Sequence, residues 1–203
     1  MSREERKAQG WMLIAFLFML TTVITGMGLY EAIAESNACL TKKAELHNEV
    51  TYADNQRKHI RDYLKTKYRL HDRDAKHLAD YILEASEDYK VPAKLLAAMV
   101  KTESNFNAHA VSHAGAYGIM QIMPWWTKVK HFQKATGIKH AQALFNPRMS
   151  IRAGAYILSH YVAEGGSLVR GVTMYNGGYR ALKNPRVETV HYVSKVFKTY
   201  ENI

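Results

Sequence analysis

The sequence predicts a mainly α-helical domain standing behind one apolar N-terminal helix. Three observations carry this. Trp11 to Tyr30 holds no charged residue and is dominated by Leu, Ile, Phe, Met, Val and Trp. Beyond it, apolar residues return at three- and four-residue spacing, the period of a helix with one buried face. No stretch shows the sustained alternation of a strand, and no repeat is present. The chain has 203 residues, which suits one compact domain plus an anchor or linker.

Residues 1–10 read as a cytoplasmic N-terminus, because Arg3, Arg6 and Lys7 precede the apolar run. Residues 11–30 are long enough to span a bilayer as a helix. A cleaved signal peptide is the rival reading, since Ala32-Ile33-Ala34 fits an A-x-A cleavage site. Either way the rest of the chain lies outside the cytoplasm. Residues 31–71 read as a charged, helical linker without Gly or Pro, carrying Leu46, Val50, Ala53, Ile60 and Leu64 at near-heptad spacing with Arg57 interrupting.

Residues 72–203 form the domain. Asp72 is placed to cap a helix from about Arg73, with Ala75, Leu78, Ile82, Ala85 and Tyr89 on one face. Pro92 opens a second, whose apolar positions are Leu95, Leu96, Met99 and Val100. Further helices are expected at about 116–129, 147–164, 168–176 and 187–201. The second of these runs from Pro147 to Gly165-Gly166, and the last carries Val193, Val196, Phe197 and Tyr200 on one side.

The formal net charge of +10 points to an anionic partner without choosing among nucleic acid, anionic lipid and cell-wall polymer. The Lys and Arg residues are scattered and match no nucleic-acid-binding motif. The single cysteine, Cys39, excludes a disulfide framework within the chain and a Cys-based zinc site. His109 and His113 are four apart but fall beside glycine, outside an H-E-x-x-H helix, so no metal site is expected.

Glu103 is four residues after Met99 and three after Val100, on the apolar face of its helix. Burial there penalises the charged carboxylate, and the negative end of the helix dipole acts in the same direction. A carboxyl kept protonated near neutral pH suits general-acid cleavage of a glycoside. A boundary Glu with its head in water is the alternative. Later carboxylates are few: no Asp follows residue 101, and only Glu164, Glu188 and Glu201 remain, with Glu188 the sole plausible companion. That scarcity favours a mechanism with one carboxylate, assisted by the acetamido group of the substrate.

Glu103-Ser104 is followed by Ser112-His113-Ala114-Gly115-Ala116-Tyr117-Gly118-Ile119-Met120-Gln121-Ile122-Met123-Pro124. Then come Asn146-Pro147, Ile151 with Gly154, Tyr175-Asn176 with Gly178, and Glu188-Thr189 with Tyr192-Val193. In order and spacing these elements closely resemble the soluble-lytic-transglycosylase family, whose pattern runs E-S, S-x-x-G-A-x-G-(L/I)-M-Q-x-M-P, N-P, Y-N-x-G and E-T-x-x-Y-V. Ser150 stands where that family usually has Asn, and Met174 where it has Ala. The match covers about residues 75–200.

The resemblance implies a lysozyme-like fold and non-hydrolytic cleavage of peptidoglycan glycan strands between N-acetylmuramic acid and N-acetylglucosamine. It implies Glu103 as the catalytic residue and no cofactor. Ser112, Gln121, Met123, Tyr175 and Glu188 are implied in the substrate groove, and Asn176 as a residue that positions a backbone turn. Ser112 and Gln121 would supply neutral donors and acceptors, Met123 a soft surface and Tyr175 a ring and hydroxyl. Trp125-Trp126 either pack in the core or rim the groove. A hydrolytic muramidase and a non-enzymatic wall-binding scaffold remain as rivals. The expected setting is a single-pass membrane protein with its domain on the periplasmic side, serving wall turnover, a trans-envelope assembly or a phage virion.

Overall fold

The computed structural model describes the backbone of residues 3–203, and the side chains of these except 3–11, 13–14, 21–29 and 32–33. Among the described residues seven α-helices follow one another: α1 (Arg3–Tyr68), α2 (Asp72–Tyr89), α3 (Ala93–Ser104), α4 (Lys130–Thr136), α5 (Pro147–Gly165), α6 (Leu168–Gly177) and α7 (Val187–Glu201). Short 3₁₀ turns lie at Pro124–Lys128, Ala141–Phe145 and Tyr179–Leu182. The chain divides into two compact units, residues 1–52 and 53–203.

The first unit is helical, and the apolar side chains described in it, among them Met12, Phe16, Leu40, Leu46 and Val50, are exposed. Among the described residues no helix is long and apolar enough to cross a membrane. The expected spanning segment at 11–30 falls largely on residues whose side chains lie outside the description.

The second unit starts earlier than residue 72. Ile60 and Leu64, four apart on the last turns of α1, are fully buried in its core. Around them, Arg57 Nε donates to Asp80 at 2.7 Å, and the Arg61 guanidinium takes both oxygens of Asp72 at 2.6 and 2.7 Å. Asp72 is therefore the first residue of α2 and an ion-pair partner, not its cap; His71 holds the cap position without a side-chain bond. Arg61 and Lys65 hold the Asp72 carboxyl down at about 2.

α5 is the central element and packs on α2, α3, α4 and α6. Asn146 caps it, its side-chain oxygen accepting from Met149 N at 3.2 Å, with Pro147 at the first position, where a missing N–H costs nothing. Gly166 ends it at φ +77°. The helices over 147–165, 168–177 and 187–201 follow the predicted bounds closely.

The predicted helix at 116–129 is not formed. Gly115, Gly118 and Gln121 all take positive φ (80°, 76° and 49°), which a right-handed helix excludes. The segment instead folds back on itself: Tyr117 and Ile122 exchange both backbone hydrogen bonds at 2.9 Å, and Val111 bridges to Tyr117. Gly118 is required at its position, since a Cβ there would sit 1.9 Å from the Leu144 carbonyl oxygen. Gly154 makes room for a second contact, because Met120 packs where its side chain would be. Buried Ser150 completes the anchoring by accepting from Met120 N at 3.2 Å.

Candidate active site

α3 buries Leu95, Leu96, Ala97, Ala98, Met99 and Val100 in succession, and its last turn carries Glu103 out of that core. Asn105 then reverses the chain at φ +53°. α7 packs on α3 and buries Thr189, Tyr192 and Val196, the three- and four-residue spacing of one face. Tyr192 thereby meets Glu103, and its hydroxyl donates to the Glu103 carboxylate at 2.5 Å.

Among the described residues no cation forms an ion pair with Glu103. Burial pushes its carboxyl up to about 7, against the opposing hydrogen bond of Tyr192 and the nearby charge of Lys195. The group is thus protonated or poised to be protonated at neutral pH, and it has a fixed donor holding one oxygen. Tyr175 lies close by on α6, where its hydroxyl is driven well above the ordinary range by burial and then by the Glu103 charge.

Structure brings Glu103, Tyr175 and the unforeseen Tyr192 together. Tyr175 does not keep a free hydroxyl for a ligand: it donates to the Met120 carbonyl at 2.9 Å, so it braces the folded-back loop. Ser104 ties the same loop to α3 by donating to the Ile119 carbonyl at 2.8 Å. Gln121 directs its amide N–H groups into the loop, to Gly118 O at 2.9 Å and Ala110 O at 3.2 Å, which leaves its amide oxygen available. Ser112 closes a turn by accepting from Ala116 N at 3.0 Å. Met123 is half-buried at the loop's end, packed on the core.

Glu188 is exposed in the first turn of α7, one helical turn before Tyr192 and on the same side. Asn176 is exposed at the end of α6. The signal for Tyr192 was present in sequence as the 189, 192, 196 spacing, but a Tyr on an apolar face reads equally well as core. A single carboxyl of raised proton affinity, held by a phenol beside a rigid polar loop, can act as a general acid and then as the matching base.

The family model for the transglycosylase SLT domain matches residues 80–195. The chain belongs to the transglycosylase SLT domain family. That SLT match contains Glu103, the 110–123 loop, Tyr175 and Tyr192. Among similar proteins is the membrane-bound lytic murein transglycosylase C of Salmonella arizonae, 31% identical over 129 residues, which cover 57% of this chain and 36% of the relative. The transglycosylase of Enterobacteria phage PRD1 is 32% identical over 114 residues, covering 56% and 39%. The chain thus spans little more than a third of the length of these curated relatives. An inactive mutant of the lytic transglycosylase Slt from Pseudomonas aeruginosa shares the fold at a TM-score of 0.55 and 25% identity, covering 60% of this chain and 23% of the other. The 70-kDa soluble lytic transglycosylase of Escherichia coli, at 19% identity and the same TM-score over 71% of this chain and 29% of that one, shares the fold alone. The SLT domain here is therefore mainly α and lysozyme-like.

Proposed function

We propose that this SLT domain is a peptidoglycan lytic transglycosylase, with Glu103 as its acid and base. The observation that carries the reading is the Glu103 carboxyl itself: held by Tyr192, without an ion pair among the described residues, and pushed up to about 7 by burial. Protonated Glu103 gives its proton to the glycosidic oxygen between N-acetylmuramic acid and N-acetylglucosamine as the bond to the anomeric carbon breaks. The acetamido group of the muramic residue supports the positive carbon. Glu103, now a carboxylate, takes the proton of the C6 hydroxyl as that oxygen closes on the anomeric carbon. A 1,6-anhydro ring forms, no water is consumed, and the enzyme returns to its starting state.

An intramolecular hydroxyl wins over water because its attack avoids the entropy cost of capturing a separate molecule. A hydrolase would need a second carboxyl: about 5 Å from the acid for a nucleophile, or roughly 6.5–9.5 Å away for a base. Glu188 is the carboxyl nearest in sequence to the site on α7, and its exposed position suits a groove-lining contact. Ser112, Gln121, Met123 and Tyr175 shape the groove on the loop side, and Asn176 holds the turn after α6. The test is mass spectrometry of a sacculus digest with and without borohydride. Anhydro ends, lighter than hydrolysis products by one water and untouched by reduction, are expected; reducible muramic ends would make the protein a lysozyme-type hydrolase.

The uncharged segment from Trp11 to Tyr30 supports a retained single-pass anchor with the domain on the periplasmic side. In that position the enzyme opens the wall locally, for turnover, for a trans-envelope assembly or in a phage virion. The full-length protein should stay in the membrane through carbonate washing, and a mature N-terminus at Glu35 would reveal a signal peptide instead.

A further inference from the structure

Trp125 is 50% exposed immediately after Met123-Pro124, and it is held firmly for so exposed a side chain. Its ring stacks on buried Trp126, centroids 4.6 Å apart and 21° from parallel. Trp126 meets Tyr161 edge-to-face at 6.2 Å, and Tyr161 meets Tyr179 edge-to-face at 5.5 Å. Tyr179 is in turn 56% exposed. Two open aromatic faces are therefore fixed on one buried aromatic spine. The spine begins beside the site: Trp125 is two residues from Met123, at most about 7 Å of backbone.

The surrounding groups are polar. His160 Nε2 is 3.5 Å from Glu164. His131 Nδ1 is 2.6 Å from the Tyr156 hydroxyl. A membrane or a helical partner would be matched by a contiguous apolar patch. Flat rings interleaved with imidazole, carboxylate and phenol match a pyranose instead, which offers an apolar C–H face and a rim of hydroxyls. Stacking on Trp126 fixes the indole in advance, so little side-chain entropy is lost when a sugar lands on it.

We propose that Trp125 and Tyr179 form a sugar-stacking platform that grips the glycan strand beyond the cleaved bond; this rests on the reading of the Glu103 site as glycan-cleaving. The platform makes the enzyme prefer long strands. It acts through binding and leaves the chemical step untouched.

The test uses the full-length protein and soluble, uncross-linked glycan strands separated by length. Trp125→Ala should raise KM on long strands about tenfold, roughly 1.4 kcal/mol of lost binding, with kcat within about twofold. Tyr179→Ala should act in the same direction, strands of about four sugars should be unaffected, and Trp125→Phe should restore most of the loss. An unchanged KM at every length, or an equal fall in kcat at every length, overturns the platform. Calorimetric titration of long strands into Glu103→Gln, with and without Trp125→Ala, separates the two readings. Strands bound through Trp125 by a wild type that cleaves nothing would leave the platform standing and the cleavage reading fallen. Cleavage with binding indifferent to Trp125 removes the platform alone, and neither cleavage nor binding removes both.

Discussion

Glu84 and Glu103 are two glutamates of one domain, and their surroundings drive them in opposite directions. On the α2–α5 face, Arg148 clasps Glu84 with two bonds, at 2.5 and 2.9 Å, and its charge and hydrogen bonds hold that carboxyl below the ordinary range. Arg152 pairs with Asp88 alongside and lies 5.4 Å above the Tyr89 ring. Where α3 meets α7, Glu103 has a phenol in place of a guanidinium, and burial pushes it up to about 7. The first arrangement secures a permanent charge in water. The second keeps a proton available. Partner and burial decide the role; residue type does not.

Removing each carboxyl should expose the contrast most sharply. Glu103→Gln should lose at least about two orders of magnitude of activity on sacculi with an unchanged helical circular-dichroism spectrum, whereas Glu84→Gln should stay within about twofold of wild type. Near-full clearing by Glu103→Gln would end the comparison.

Tyr192→Phe tests the phenol. The Tyr192 bond favours the charged form of Glu103, so its loss should move the alkaline limb of kcat/KM from about 7 upward, by roughly one unit. A limb that stays in place would mean that Tyr192 does not govern the proton on Glu103.

Stability should follow the same logic with opposite signs. The raised Glu103 carboxyl binds its proton more tightly folded than unfolded, so its contribution is favourable below the ordinary value of 4.5 and is lost as pH rises through about 7. Glu103→Gln should therefore melt a few degrees above wild type at pH 8, and the difference should shrink at pH 5. Thermal melts at the two pH values check it, and a gap that widens at pH 5 would contradict the burial argument.

The smallest effect is expected on the other face. Glu84 is depressed, so the Arg148 pair contributes above the ordinary 4.5 and fades as pH falls below it. Its side chains are 38% and 58% exposed, and Arg148→Ala should move the midpoint of urea unfolding only slightly at neutral pH.

Glu103 was legible in sequence because a carboxylate on an apolar helical face breaks the pattern. Tyr192 stood in the E-T-x-x-Y-V element but its role was not legible, since it satisfies the pattern equally well as a core residue. The 110–122 loop was misread because Ala116, Ile119, Met120 and Met123 imitate helical spacing, and the left-handed φ of Gln121 leaves no mark on the residue type. The early start of the second unit was hidden by arithmetic of another kind. Ile60 and Leu64 are two aliphatic residues in a charged stretch, and the packing of Tyr63, Tyr68 and Leu70 and ion pairs from Arg57, Arg61 and Lys65 add to the fastening.

Codon 118 leaves this gene little room to wander. At φ +76°, with the Leu144 oxygen 1.9 Å from any added Cβ, even alanine would force the loop off its path. Exposed codons such as 125 and 188 accept new side chains without moving the backbone. A mutational library selected only for a folded chain should therefore hold glycine at 118 while these drift, and selection for strand preference should then draw its variety from the drifting set.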